Sequence, residues 1–201
     1  MKKFLIFSLL GLMFSSNAYS NKIYNGTFID AHSQAGPFIT DDQVSKQINN
    51  NDVDLTLLSI RGKYITANQR YKSIQRLTGT KTRYLIPTKL AGFTQKSRPV
   101  DKVISVISIL KEQAINNNIN YTGFGEIIVQ HAPHNHSRLK YEGINNDLNS
   151  ERISRAIQIV LNDDKPVILH VELNDYEKDS KKILNQLVEL SKKYPNNNFL
   201  L

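Results

Sequence analysis

Three short stretches place acid–base and metal-ligating residue types at the ends of apolar runs. Phe28-Ile29 leads into Asp30-Ala31-His32-Ser33-Gln34, and Gly36-Pro37 then turns the chain. Gly125-Glu126-Ile127 and Val167-Ile168-Leu169-His170 repeat the design. In a parallel α/β protein the site lies at the carboxyl ends of the strands. The polar residues there are Asp30, His32, Arg61, Glu126 and His170. Imidazole nitrogen and carboxylate oxygen together form a common first shell for zinc and related divalent metals. A metal so held lowers the pKa of bound water and makes a nucleophile near neutral pH.

Each residue also has a plainer reading. His32 fits a hydrogen-bonded histidine at a strand end, and His170 a satisfied core histidine. Glu126 could pair with Arg61, and Asp30 could orient a neighbour or cap a turn. His131, His134 and His136 sit in a Pro-Asn stretch that reads as a solvated loop over the site, with substrate contact second and ligation third. No nucleophile-elbow pattern is present, and no cysteine can act as nucleophile.

The elements that must position these residues alternate. Thr27 to Ala31, Val53 to Ile60, Arg83 to Pro87, Tyr121 to Val129 and Pro166 to Val171 read as strands, the last nearly all apolar. Asn198 to Leu201 begins a sixth. Thr40 and Gln43 have the spacing of a capping box, with Val44 and Ile48 on the buried stripe. A helix from about Ala67 to Leu77 closes at Gly79. Pro99 opens another at a position where its missing amide costs nothing. Val103, Ile107, Leu110 and Ala114 recur at helical spacing along it. Ser150 caps a fourth helix, and Ile183 to Leu190 line a fifth.

Alternating strands and helices mean a parallel sheet with covering helices. An open doubly wound sheet and part of an eight-stranded barrel both fit, though no glycine-rich phosphate loop follows the first strand. A complete barrel needs about 250 residues. This chain has 201, of which residues 1–20 read as an export signal. Lys2 and Lys3 precede an apolar run too short to span a bilayer, and Ala18-Tyr19-Ser20 fits a signal peptidase site. Residues 21–201 then form one domain, periplasmic or secreted, with no membrane association after cleavage. Hydrophobic residues at 40% and charged residues at 22% argue against disorder. The formal net charge of +8 is dispersed, without an arginine-rich run, so nucleic acid is not expected as a partner.

Taken in order, these stretches resemble the amidohydrolase superfamily of metal-dependent hydrolases, which are (β/α)8 barrels. Asp30 to Gln34 is similar to its first-strand motif, Asp-x-His-x-His, with Gln34 in place of the last histidine. Gly123-Phe124-Gly125-Glu126-Ile127 is similar to its fourth strand, and Pro166 to His170 to its fifth. The resemblance covers about residues 28–201. It implies an α/β fold of the (β/α)8 TIM-barrel type, incomplete at about five and a half βα units. It implies His32, Glu126 and His170 as ligands of a divalent metal, zinc by preference. A small-molecule amide, ester or lactone would be hydrolysed by metal-activated water. Gln34, a neutral amide, would be a weak or lost ligand. Asp30, Arg61, His131, His134 and His136 would contact substrate or support the ligands. The sixth-strand histidine and the eighth-strand general-base aspartate would lie beyond Leu201. The chain would then be a fragment or a truncated frame, and the alternative to an enzyme is a non-catalytic remnant or ligand-binding pseudoenzyme.

Overall fold

The computed structural model describes residues 26–88, 98–136, 139–141, 143–172, 177–197 and 199–200. The expected export signal lies outside these residues, as do Asn198 and Leu201. The elements run β1 (Ile29–Ala35), α1 (Asp41–Asn50), β2 (Leu55–Ile60), α2 (Tyr64–Thr78), β3 (Thr82–Ile86) and α3 (Val100–Asn116). Then follow β4 (Tyr121–His131), β5 (His134–His136), β6 (Leu139–Tyr141), β7 (Ile144–Asn145) and α4 (Glu151–Leu161). The last are β8 (Val167–Val171), α5 (Glu177–Lys193) and β9 (Phe199–Leu200).

The main strands lie in chain order, β1-β2-β3-β4-β8-β9, each parallel to its neighbour. A doubly wound sheet reverses its order at a switch point. No reversal occurs among the described strands, which therefore do not follow the doubly wound order. Right-handed crossovers that always step the same way put every helix on one face. The side chains show the result. Leu58 and Ile60, Tyr84 and Ile86, and Val167 and Leu169 join the large core formed with the helices. The alternate residues Leu57, Leu85 and Ile168 form a small separate cluster. Alternation along a strand sends neighbours to opposite faces, so this second cluster lines the face away from the helices. The architecture is α/β with a sequentially ordered, mostly parallel sheet, consistent with part of a barrel.

Local chemistry sets most helix starts. Thr40 caps α1 in a full capping box: Gln43 N–H donates to its hydroxyl at 3.2 Å, and Thr40 N–H donates to the Gln43 side chain at 3.0 Å. Ser150 caps α4 by accepting from Ile153 N–H. Pro99 is the residue before α3 rather than its first helical residue. Gly79 ends α2 at φ 58°, a conformation glycine adopts without steric cost. Helix α2 starts at Tyr64, earlier than its sequence suggests, and its N-cap Lys63 makes no side-chain cap bond. Packing decides there: Ala67, Tyr71 and Ile74, four and three residues apart, are fully buried.

Two strands differ from expectation at the site end. Strand β1 runs through Asp30 to Gln34 rather than ending at Ala31. Strand β4 continues past Val129 to His131, and β7 pairs antiparallel with its tip. His134 and His136, expected in a loop, lie on strand β5, which pairs antiparallel with β6. Extended backbone here finds partners across strands, a non-local effect that a Pro-Asn composition does not reveal.

Candidate metal centre at the ends of β1, β4 and β8

Strand irregularities determine which side chains reach the site. On β1, Asp30 lies opposite Thr56 and Ser33 opposite Leu58, so β1 carries one extra residue. The Asp30 carboxylate closes this bulge by accepting from His32 N–H at 3.1 Å and from the Ser33 hydroxyl. On β4, Phe124 lies opposite Val167 and Ile127 opposite Leu169, again with one residue to spare. Phe124 and Ile127 both pack in the helix-side core. Gly125 and Glu126 fill the bulge between them. A Cβ on Gly125 would come 3.1 Å from the Ile168 side chain, which places Gly125 against the inner cluster. Bulges of this kind re-aim side chains beside active sites.

The re-aimed residues line a cleft of about 250 Å³ with Ala31, Ile168, His170 and Glu172. Glu126 is 2% exposed, and a carboxylate so buried needs compensating partners. His170 Nδ1 donates to Glu126 Oε2 at 3.0 Å, and His32 Nε2 lies 3.9 Å from the same oxygen. The other ring nitrogen of His170, Nε2, lies 3.0 Å from Glu172 Oε1. Both nitrogens donate when the ring is imidazolium. The His170 pKa is accordingly raised, chiefly by the Glu126 bond, against the opposing effect of burial and with help from Glu172. Burial would push the Glu172 carboxyl up. The Ala132 amide, 2.6 Å from Oε2, and the His170 and His131 rings outweigh it and hold the carboxyl below its usual range.

His131 flanks His170 and Glu172 without itself lining the cleft. Its ring stacks on His170, with centroids 5.0 Å apart and planes at 15°. Its Nδ1 donates to Ala132 O at 2.7 Å, and its Nε2 lies 3.6 Å from Glu172 Oε1. Among the described residues, one group brings three ligand atoms within 4.8 Å of one another: His131, His170 and Glu172. Two imidazoles and a carboxylate are a known three-ligand set for zinc. The donor chemistry therefore fits a divalent metal.

The structure thus brings His32, Glu126, His170 and His131 together. Asp30 braces the β1 bulge. Arg61 is exposed beyond β2, and its N–H donates to Ala35 O at 2.8 Å. Gln34 turns its amide nitrogen to His32 Nε2 at 2.9 Å. His134 and His136 lie on β5, and their side chains fall outside the described residues. Glu172 was not foreseen. The signal was present: it stands two residues beyond His170, just past the end of β8, where a continued two-residue period points to the same side.

No protein-family model matches the chain, and no curated protein matches it. One crystal structure superposes on it, that of a Staphylococcus aureus protein described provisionally as an amidohydrolase. The identity is 14% and the TM-score 0.49, over 87% of this chain and 66% of the other. The chain spans just under two thirds of that protein, and a likeness this loose assigns neither fold nor chemistry.

Proposed function

We propose that the cleft belongs to a hydrolase that acts on a small-molecule amide, ester or lactone with a divalent cation, zinc by its donor set. One observation carries the reading: His170 presents each of its ring nitrogens to a carboxylate, at the carboxyl ends of parallel strands. That end of the sheet is where α/β proteins place their sites.

Two donor sets share His170. The inner set, implied by the family resemblance, is His32, Glu126 and His170 Nδ1. The outer set is His131, Glu172 and His170 Nε2. When bound, the cation supplies Lewis acidity, which polarises a carbonyl and lowers the pKa of water. The chain's own residues hold and orient. Glu126 fixes the His170 ring, and the Asp30 brace holds the β1 bulge that presents His32. Ile168 gives the cleft an apolar floor, and its volume suits a small molecule. Export through residues 1–20 is part of the proposal, with no nucleic-acid or membrane partner.

The test uses the full chain, stripped with a chelator and reloaded with Zn²⁺, against chromogenic esters, lactones and anilides. Hydrolysis that appears with Zn²⁺ and disappears with chelator is the expected result. Turnover indifferent to chelator refutes the reading. Gln34 favours a second reading, a ligand-binding pseudoenzyme, because its amide sits on His32 Nε2. Zn²⁺ binding without turnover of any substrate is its signature.

A further inference from the structure

Resting on the cation-dependent reading above, we infer that the cation's ligands are His131 Nε2, His170 Nε2 and Glu172 Oε1, and that Glu126 positions His170 from behind without touching the cation. The argument is one of proton placement. A ligating histidine gives one nitrogen to the metal and donates its other N–H to a carboxylate or carbonyl that fixes tautomer and ring orientation. Both imidazoles of the outer set meet that requirement. His170 Nδ1 is committed to the buried Glu126 carboxylate at 3.0 Å, and His131 Nδ1 to the Ala132 carbonyl at 2.7 Å. Their Nε2 atoms both turn to one oxygen, Glu172 Oε1, at 3.0 and 3.6 Å. The other oxygen of Glu172 is anchored by the Ala132 amide at 2.6 Å. Each side chain of the outer set is therefore held through the atom it does not offer.

The spacing agrees. Ligands at about 2.0–2.2 Å in tetrahedral array stand about 3.3–3.6 Å apart. The two separations measured to Glu172 Oε1 bracket that range, and a turn of the stacked His131 ring out of parallel with His170 would aim both lone pairs at one ion.

The inner set also places two nitrogens about one oxygen, at 3.0 and 3.9 Å from Glu126 Oε2, but it differs in what those nitrogens already do. His32 Nε2, its candidate ligand atom, accepts from the Gln34 amide at 2.9 Å. Ligation through His170 Nδ1 would also strip Glu126 of its 3.0 Å donor. The Gln34 amide thus acts in two ways: it offers no imidazole and it engages the one beside it. The cation site then lies at the ends of β4 and β8, with His131 and Glu172.

The full chain titrated with Zn²⁺ alone by calorimetry, and with Co²⁺ by visible absorption, decides the matter. Circular dichroism establishes that each variant is folded. His131→Asn and Glu172→Gln, both partly exposed positions, are expected to abolish saturable binding and the Co²⁺ bands. Glu126→Gln is expected to weaken binding roughly 10- to 100-fold while leaving the band positions unchanged, as a supporting residue does. His32→Asn and Gln34→Ala are expected to leave affinity within about 3-fold, well short of the loss expected even for a supporting residue. In the wild-type protein, ¹⁵N spectra of His170 are expected to show the proton on Nδ1 and Zn²⁺ on Nε2. If His32→Asn abolishes binding while His131→Asn and Glu172→Gln do not, or Zn²⁺ is found on Nδ1, this inference is overturned and the hydrolase reading survives. If the wild-type chain binds neither ion, both fall.

Discussion

The tightest constraint near the site is a glycine that precedes the β4 bulge. A methyl group on Gly123 would lie 2.8 Å from the Pro166 carbonyl oxygen, and 3.2 Å from both Leu85 Cδ2 and Pro166 Cγ. That carbonyl is backbone, and it accepts the Phe124 N–H at 3.0 Å, tying the start of β8 to β4. Gly123→Ala must therefore push the two site-bearing strands apart. Overpacking costs about 1–3 kcal/mol, and weakening one hydrogen bond adds about 0.5–1.5 kcal/mol. The alanine recovers about 0.4–1 kcal/mol by restricting the unfolded chain. The net expectation is a loss of about 0.5–4 kcal/mol. Gly125→Ala is the control. The three atoms nearest its methyl all belong to the Ile168 side chain, at 3.1 to 3.4 Å, and the closest, Cδ1, can rotate away. Its net change should stay within about 1 kcal/mol. Urea unfolding followed by far-ultraviolet circular dichroism measures both. A Gly123→Ala protein as stable as wild type, or more stable than Gly125→Ala, would refute the account of how β4 and β8 approach.

Three further predictions concern the scaffold. Leu110 is fully buried on α3, so Leu110→Ala should cost about 2–5 kcal/mol in the same urea assay; a loss below about 1 kcal/mol would mean that α3 is not packed as described. Ser150→Ala removes the α4 cap and should cost about 0.5–2 kcal/mol, with no change in stability as the contrary result. The Asp147 carboxyl is held below its usual value, first by Lys182 at 2.8 Å, then by the Asn149 amide and the Gln186 side chain. A carboxyl with a depressed folded pKa stabilises above its unfolded pKa, near 3.9, and that contribution is lost as pH falls through the folded value. Asp147→Asn should therefore flatten the fall in stability below about pH 4; acid limbs that coincide would contradict it.

What was legible in the sequence was whatever local chemistry dictates. Thr40 with Gln43, Ser150 and Gly79 each marked a helix end through bonds or dihedrals set within a few residues. The apolar runs marked the parallel strands for the same reason, since both faces of such a sheet are covered. Register was not legible. The bulges at Asp30 to Ser33 and Phe124 to Ile127 exist only in relation to β2 and β8, yet they aim His32 and Glu126. The order of His32 and Gln34 placed an amide two residues from an imidazole, but did not show that the amide would lie on its neighbour's ring. His131 read as a loop residue because its strand partner, Ile144, comes later in the chain. Glu172 was overlooked although the two-residue period from His170 points to it.

Strand β4 and strand β8 pair directly; they carry His131, Glu126 and His170, and Glu172 follows β8 by one residue. The inferred cation group therefore occupies a single βαβ unit. Its persistence is governed by the opening of that unit, which can differ from the unfolding of the molecule as a whole. Amides of β4 and β8 should gain protection from hydrogen exchange when Zn²⁺ binds, while those of β2 change little. A function housed in one such unit can also outlast change in the rest of the sheet: substitutions on β1 would touch His32 and leave the donors of β4 and β8 in place.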